Sequence, residues 1–294
     1  MSTTHTIPKR PLTWLITGCS SGFGLSLTRI AQAHGHTVIA TSRNPSRTPD
    51  LVQEVENKGG KWLQLDVDDP SRGAQVIEDL EASGQPIDVL VNNAGYSIYT
   101  AGECFTEEEV RQQMETLYFG PFRLIRAAVP HMRKRRFGVV VNFSSGAALE
   151  GRDSMGAYAA SKAALDGLSK VLAKEVAPFN VRILTVALGT FNTNMGNATI
   201  IGKNPLPEDY RGSVAQQMMD YMSSGKFEGN GDKDKAMKAV YEVVTGEGVG
   251  AGHLDERLLP LGRDLDARIK QVQAYLAHSL EVFGEVCNNV HREK

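Results

Sequence analysis

Tyr158 and Lys162 sit four residues apart in GAYAASKAALDGL, a run of small residues from Gly156 to Leu168. Alanine-rich sequence favours helix, because alanine gives up no side-chain entropy there. Four residues are about one helical turn, so the phenol and the ammonium share a face, one above the other. A cation beside a phenol favours the phenolate and lowers the tyrosine pKa from its usual value of about 10. Such a tyrosine can serve as an acid or a base near neutral pH. Taken alone, the pair also fits a chance neighbourhood on an amphipathic helix, so the remaining residues decide.

A second group is ITGCSSGFGLSL, which lies between an apolar run and a helical pattern. Gly18, Gly22 and Gly24 follow G-x-x-x-G-x-G spacing. Glycines permit a tight turn and let backbone N–H groups approach a phosphate. The helix that follows aims its positive end at the same point, and the hydroxyls of Ser20 and Ser21 add donors. A glycine triplet is a weak signal alone. Placed after the first strand of a βαβ unit, it reads as a dinucleotide site. At the end of the second strand, an acidic residue would bind the ribose 2′-OH of NAD, and an arginine would accept the 2′-phosphate of NADP. The stretch TVIATSRNPSRTPD has no carboxylate before Asp50, and Ser42 and Arg43 stand just past the strand. This favours NADP(H) over NAD.

These groups need a scaffold, and the chain supplies an alternating one. The β-rich runs LTWLIT, HTVIATS, KWLQLDV, IDVLVNNAG, GVVVNFSS and VRILTVALG are separated by helical patterns. One of these patterns is a long helix through EEEVRQQMETLYFGPFRLIRAAVPHMRKR. Strands alternating with helices imply right-handed βαβ units and a parallel sheet covered on both faces. RLLPLG reads as a last strand, and a long helix runs on from Asp264. The expected fold is α/β, a Rossmann-type doubly wound parallel sheet of about seven strands. Residues 1–294 read as one domain, with a core over 12–189 and a substrate cover and C-terminal extension over 190–294.

Composition narrows the function. The chain has 294 residues, and 32 Lys and Arg nearly balance 34 Asp and Glu. A net charge of -2 makes no electrostatic case for nucleic acid or an anionic membrane. Cys19, Cys104 and Cys287 lack CxxC spacing, so neither a disulfide framework nor a zinc site is expected, and no metal. No stretch approaches the ~20 apolar residues of a membrane span. A soluble, cytoplasmic protein is the expectation.

In order along the chain come T-G-x-x-x-G-x-G from Thr17 to Gly24, N-N-A-G from Asn92 to Gly95, and Y-x-x-x-K at Tyr158 and Lys162, with Ser145 13 residues before the tyrosine. Together these motifs resemble the short-chain dehydrogenase/reductase family over roughly residues 12–195, in its NADP(H)-preferring carbonyl reductase form. The resemblance implies roles. Gly18, Ser20, Ser21, Gly22, Phe23 and Gly24 would line the pyrophosphate. Asp66 would meet the adenine amino group, with Val67 beside the ring. Asn93, Ala94 and Gly95 would border the adenosine ribose. Ser145 would hold the substrate carbonyl, with Ser144 the adjacent alternative, and Tyr158 would donate the proton. Lys162 would hold the nicotinamide ribose and depress the tyrosine pKa. Thr193 would meet the carboxamide. A homodimer or homotetramer is also implied.

Two positions depart from the family pattern. Leu117 stands where an asparagine usually helps to hold a water that links the lysine to solvent, and leucine offers no side-chain hydrogen bond. A weakened or rerouted proton relay is expected, with neighbouring Thr116 facing elsewhere on a regular helix. Ala187 to Gly189 read ALG where P-G is common, which should loosen one turn. The segment over the substrate, about residues 190–230, carries Met195, Met218, Met219, Met222, Tyr210 and Tyr221. Tyr96 and Tyr99 should lie near the mouth. Methionines and aromatics make adaptable apolar pockets, although they also pack small helices. The expected function is NADPH-dependent reduction of a ketone or aldehyde on a fairly large apolar or aromatic molecule. The alternatives are an imine or a conjugated C=C as substrate, or a non-catalytic NADPH-binding scaffold or sensor.

Overall fold

The apolar runs become strands because a strand buried on both faces has no polar side to show. β1 (Thr13–Ile16), α1 (Gly22–Ala33), β2 (Thr37–Ser42), α2 (Pro49–Asn57), β3 (Lys61–Gln64) and α3 (Arg72–Ala82) come first. β4 (Val89–Asn92), β5 (Ile98–Tyr99), α4 (Glu107–Met114), α5 (Gly120–Arg135), β6 (Gly138–Ser145) and α6 (Ala147–Glu150) follow. α7 (Gly156–Val176), β7 (Val181–Leu188), β8 (Ile200–Ile201), α8 (Val214–Ser223), α9 (Lys233–Thr245), β9 (Leu258–Leu261) and α10 (Arg263–Asn289) complete the chain. The structure is a computed structural model and describes residues 5–193, 199–227 and 229–292.

Seven strands form one sheet in the order β3-β2-β1-β4-β6-β7-β9, and every pairing is parallel. The order reverses between β1 and β4, which opens the crevice where a doubly wound sheet binds its ligand. Alternate strand residues face opposite layers. Trp14 and Ile16 join one core with Leu27 of α1 and Val240 of α9. Leu15 joins the other with Ile77 of α3, Leu124 of α5 and Ala173 of α7. The expected Rossmann-type sheet is therefore present, with RLLPLG as its edge strand.

Two polar devices hold the helices that frame the crevice. Thr106 caps α4 reciprocally: its hydroxyl accepts the Glu109 N–H at 3.2 Å, and the Glu109 carboxylate accepts the Thr106 N–H at 2.8 Å. In the buried layer, the Asn92 amide donates to Asn142 at 2.7 Å, and the Asn142 amide donates to Ser169 of α7 at 2.9 Å. That ladder fixes α7 against β4 and β6.

The long helix expected over EEEVRQQM…RKR is present, but a π turn interrupts its regular winding. α4 and α5 are separated by a wider π turn over Glu115–Phe119. A two-stranded pair also forms outside the main sheet, where Ile98 and Tyr99 of β5 meet Ile200 and Ile201 of β8.

Candidate active site

The loop after β1 is shaped by close approach. Gly18 has φ +73°, and a Cβ there would meet the Ala94 Cα at 2.9 Å. A Cβ on Gly24 would lie 2.5 Å from the Gly18 oxygen and 2.6 Å from Asn93 Nδ2. Gly22, at φ +59°, faces open space, with the Thr193 Cβ 3.8 Å away. Asn93 fastens the loop by donating to the carbonyls of Thr17 at 2.7 Å and Gly18 at 3.1 Å. At the start of α1, Ser21 makes no side-chain cap, and Ser21, Gly22 and Phe23 line the crevice, so the helix N-terminus is left to a ligand there.

A cavity of about 390 Å³ runs from this loop to α7. Gly18, Ser20, Ser21, Gly22 and Phe23 line one end, with Ser42, Arg43, Asp66 and Val67 beside them. Asn93, Ala94, Gly95 and Thr193 border the middle, and Tyr158 and Lys162 close the far end. Gly24 lies behind the wall, where its role is packing, and Ser145 sits just outside it. Ser42 is buried and accepts the Trp62 indole N–H at 3.0 Å, which leaves its hydroxyl proton free to donate to a ligand. The exposed Arg43 side chain makes no ion pair or hydrogen bond among the described residues.

At the far end, Lys162 Nζ donates to the Phe143 carbonyl at 2.6 Å and lies 5.8 Å from the centre of the Tyr158 ring. Burial pushes the lysine down to about 8, opposed by the negative charge of Asp166. The Ser145 hydroxyl faces the Tyr158 phenol and favours its ionisation, but burial outweighs it and pushes the phenol up to about 12. The lowered tyrosine pKa expected from the Tyr158–Lys162 spacing is therefore not found. The two groups do share a helix face, but desolvation decides the phenol's state.

The family model described as short chain dehydrogenase matches residues 13–203. The chain belongs to the short-chain dehydrogenase family. The oxidoreductase claN of Passalora fulva is 42% identical over 187 residues, which is 63% of this chain and 85% of that one. The 3-ketodihydrosphingosine reductase of Bacteroides thetaiotaomicron is 39% identical over 213 residues, 71% of this chain and 75% of that one. A short-chain dehydrogenase from Streptomyces avermitilis superposes with a TM-score of 0.85 at 34% identity, covering 97% of this chain and 100% of that one. Several further solved proteins that share the fold hold NADP or NADPH.

In this short-chain dehydrogenase, Leu117 is wholly buried in a cluster with Tyr99, Ala147, Met155, Tyr158 and Met222. Its methyl occupies the space a Cβ on Gly95 would enter, at 2.7 Å. Because Leu117 lies in the π turn, its neighbour is displaced too. Thr116 was expected to face elsewhere, yet it lines the cavity and donates to Asp68 at 3.0 Å. Asp68 is a cavity residue that sequence reasoning missed, and burial raises its pKa. Its place two residues after Asp66 was the available signal.

The cover over the site is partly as expected. Met218, Met222 and Phe227 pack on the Tyr158 cluster, as does Tyr99, whereas Tyr96 lines the nucleotide side beside Thr116. Tyr221 is 46% exposed and turns outward, and Tyr210 pairs with Glu103 at the surface. Met195 lies outside the described residues. The ALG turn is not loosened. Asp264 of α10 accepts the Thr190 N–H at 3.1 Å and its hydroxyl at 2.9 Å, and Arg268 joins Asp264 at 2.8 Å to Glu150 at 2.9 Å. The base of the cover is pinched as well: the Asn192 N–H donates to Gly231 at 3.0 Å, and the Gly231 N–H donates to Thr190 at 3.2 Å.

Among the described residues no cluster of three metal-ligating side chains occurs, and no helix is long and apolar enough to cross a membrane. Cys19 and Cys104 are buried free thiols and Cys287 is exposed.

Proposed function

We propose that this single-domain chain is an NADPH-dependent carbonyl reductase that converts a ketone or aldehyde on a fairly large apolar or aromatic molecule to the alcohol. The observation that carries the reading is one cavity with a glycine-built anion cradle at one end and Tyr158 with Lys162 at the other. The cradle fits a dinucleotide because Gly18 and Gly22 line it without a side chain, and the start of α1, which Ser21 leaves uncapped, offers N–H donors to a pyrophosphate. Arg43, with its guanidinium uncommitted, is the group for a 2′-phosphate. NADPH supplies the hydride when bound.

The chain's own residues do the rest. Tyr158 is protonated throughout the neutral range, which is the form a proton donor needs, and it gives its proton to the carbonyl oxygen as negative charge builds there. Ser145 orients that oxygen. Lys162, charged below about 8, holds the ribose hydroxyls and opposes the growing charge. Leu117, Met155, Met218 and Met222 pack around Tyr158 and shield it from water, and an apolar surround of that kind suits a large apolar substrate better than a sugar. The 3-ketodihydrosphingosine reductase similarity supports a ketone as the group reduced.

The test is Tyr158→Phe, assayed for NADPH consumption against a panel of bulky ketones and for NADPH binding by nicotinamide fluorescence. The reading requires near-complete loss of turnover with binding kept. Unchanged turnover would remove Tyr158 as the proton donor. Leu117 favours one second reading, a scaffold that binds NADPH without turnover. That reading predicts binding by the unsubstituted protein and no turnover with any imine, conjugated alkene or carbonyl compound.

A further inference from the structure

α10 is 27 residues long, about 40 Å, and only Leu265 in its first turn is buried. Beyond Arg268 its side-chain hydrogen bonds and ion pairs run along the helix itself. Lys270 reaches Asp266 at 2.7 Å, Ser279 reaches the Tyr275 carbonyl at 3.0 Å, and Asn288 reaches the Gly284 carbonyl at 2.9 Å. Yet this stretch carries the largest group of exposed apolar side chains in the molecule: Leu276 at 56%, Leu280 at 64%, Phe283 at 63% and Val290 at 77% are examples. A free helix with an exposed apolar stripe has little to hold it in water, since helical stability comes mainly from packing such a face.

The stripe has a definite composition. At 100° per residue, Ile269, Val272, Leu276, Ser279, Leu280, Phe283, Cys287 and Val290 fall on one face. It is the face by which Leu265 docks on the body beside Gly146, where a Cβ would lie 2.8 Å from the leucine methyl. Lys270, Glu281 and Glu285 fall on the opposite face, so no charge interrupts the stripe. An anionic membrane would want basic residues along its margins, and they are not there.

Within this set the spacing also reads the same from both ends, while the exposed Tyr275, Val282 and Val286 widen the apolar face on one flank. Steps of 3, 4 and 3 residues lead from Ile269 to Ser279, and steps of 3, 4 and 3 lead from Leu280 to Val290. A patch with that symmetry is complementary to itself under a two-fold axis. We propose that α10 is a dimerisation helix that pairs antiparallel with the α10 of a second copy of this chain, the axis passing between Ser279 and Leu280. Leu276 then meets Phe283 of the second copy, Val272 meets Cys287, and Ile269 meets Val290. Ser279, the small residue at the centre, lets the helices approach closely, and their dipoles oppose favourably. The paired length is about 33 Å, which removes on the order of 600 Å² per copy, the same order as the ~800 Å² per partner of a standard interface.

The test uses the full chain. Sedimentation equilibrium should give a mass that Leu276→Glu with Phe283→Glu cuts twofold, with the near-ultraviolet circular dichroism of the body unchanged. A monomeric unsubstituted protein, or a mass the double variant leaves alone, overturns the proposal. Val272→Cys tests the geometry: mild oxidation should link it to Cys287 of the second copy, and adding Cys287→Ser should abolish the link. No link in Val272→Cys, or a link that persists without Cys287 and so marks parallel helices, overturns it. So does a monomer that floats with phosphatidylcholine/phosphatidylserine vesicles, which would assign the face to lipid.

Discussion

The Thr17 side-chain oxygen accepts the backbone N–H groups of both Asn93 and Ala94, each at 3.0 Å, and its hydroxyl donates to the Val91 carbonyl at 3.2 Å. One buried hydroxyl thus joins the glycine loop to the end of β4. Thr17→Val keeps the shape and leaves both N–H donors unmatched, at about 1–3 kcal/mol for each buried group. Chemical denaturation should show a loss of about 2–6 kcal/mol for the two groups together, with weaker NADPH binding because the two walls of the crevice are no longer tied. A loss under about 0.5 kcal/mol would mean that the tie is dispensable.

Gly22 and Gly24 should respond to alanine in different ways. Gly22→Ala meets no neighbour closely but holds φ +59°, so it costs about 1 kcal/mol of backbone strain. Gly24→Ala presses on the backbone oxygen of Gly18, which cannot yield, and on the side-chain amide of Asn93. Overpacking of that kind costs about 1–3 kcal/mol and displaces Asn93. Thermal unfolding should rank Gly24→Ala as the more damaging. The reverse order would show that strain, rather than close approach, selects these glycines.

The rate of carbonyl reduction should fall as pH rises above about 8. Lys162, lowered to about 8, loses its charge there, whereas Tyr158, raised to about 12, stays protonated. The profile of kcat/KM should therefore show one descending limb near pH 8, absent from the weak residual activity of Lys162→Met. A flat profile to pH 9.5 would separate Lys162 from the reaction. Stability has its own sign. Between about 8 and the lysine's ordinary 10.5 the unfolded chain binds more protons, so this group's destabilising effect fades as pH rises through that window.

Arg43→Asp places a carboxylate where an uncommitted guanidinium lines the cavity. A carboxylate there repels a 2′-phosphate and accepts from a ribose 2′-OH. The ratio of NADPH to NADH affinity should drop by roughly tenfold or more, in line with about 1.4 kcal/mol for the removal of one ionic interaction. An unaltered ratio would locate 2′-phosphate recognition on another group.

Much of this architecture could be read directly. VLVN, GVVVNFSS and VRILTVAL are continuous apolar runs, and only a doubly covered strand explains them. The Tyr158–Lys162 pair was legible because helical spacing is local. What burial does to that pair was not, since the walls that desolvate the phenol come from β5, the π turn and α8, far away in sequence. The π turn itself was hidden for a similar reason. Nothing local in METLYFGP marks an added residue, and the extra residue in the turn accompanies the burial of Leu117 and the bond from Thr116 to Asp68. β5 and β8 are two residues each, too short for any pattern to show. Asp264 holds Thr190 across 74 residues, a contact no local rule anticipates.

The pinched base of the cover has a consequence for how such a protein can change. Thr190, Asn192 and Gly231 are bonded to one another, so the stretch between them leaves and re-enters the body at nearly one point. A detour closed at its own neck can be exchanged for another of different length at little entropic cost, because closure depends only weakly on the number of residues enclosed. The seven-stranded sheet would not register the exchange, whereas Tyr158 and β5 would, because Met218, Met222 and Ile200 of this stretch touch them. In an enzyme of the proposed kind, an engineer seeking a new substrate should therefore cut after Thr193 and before Gly231, and keep the contacts that Met218 and Met222 make with Tyr158.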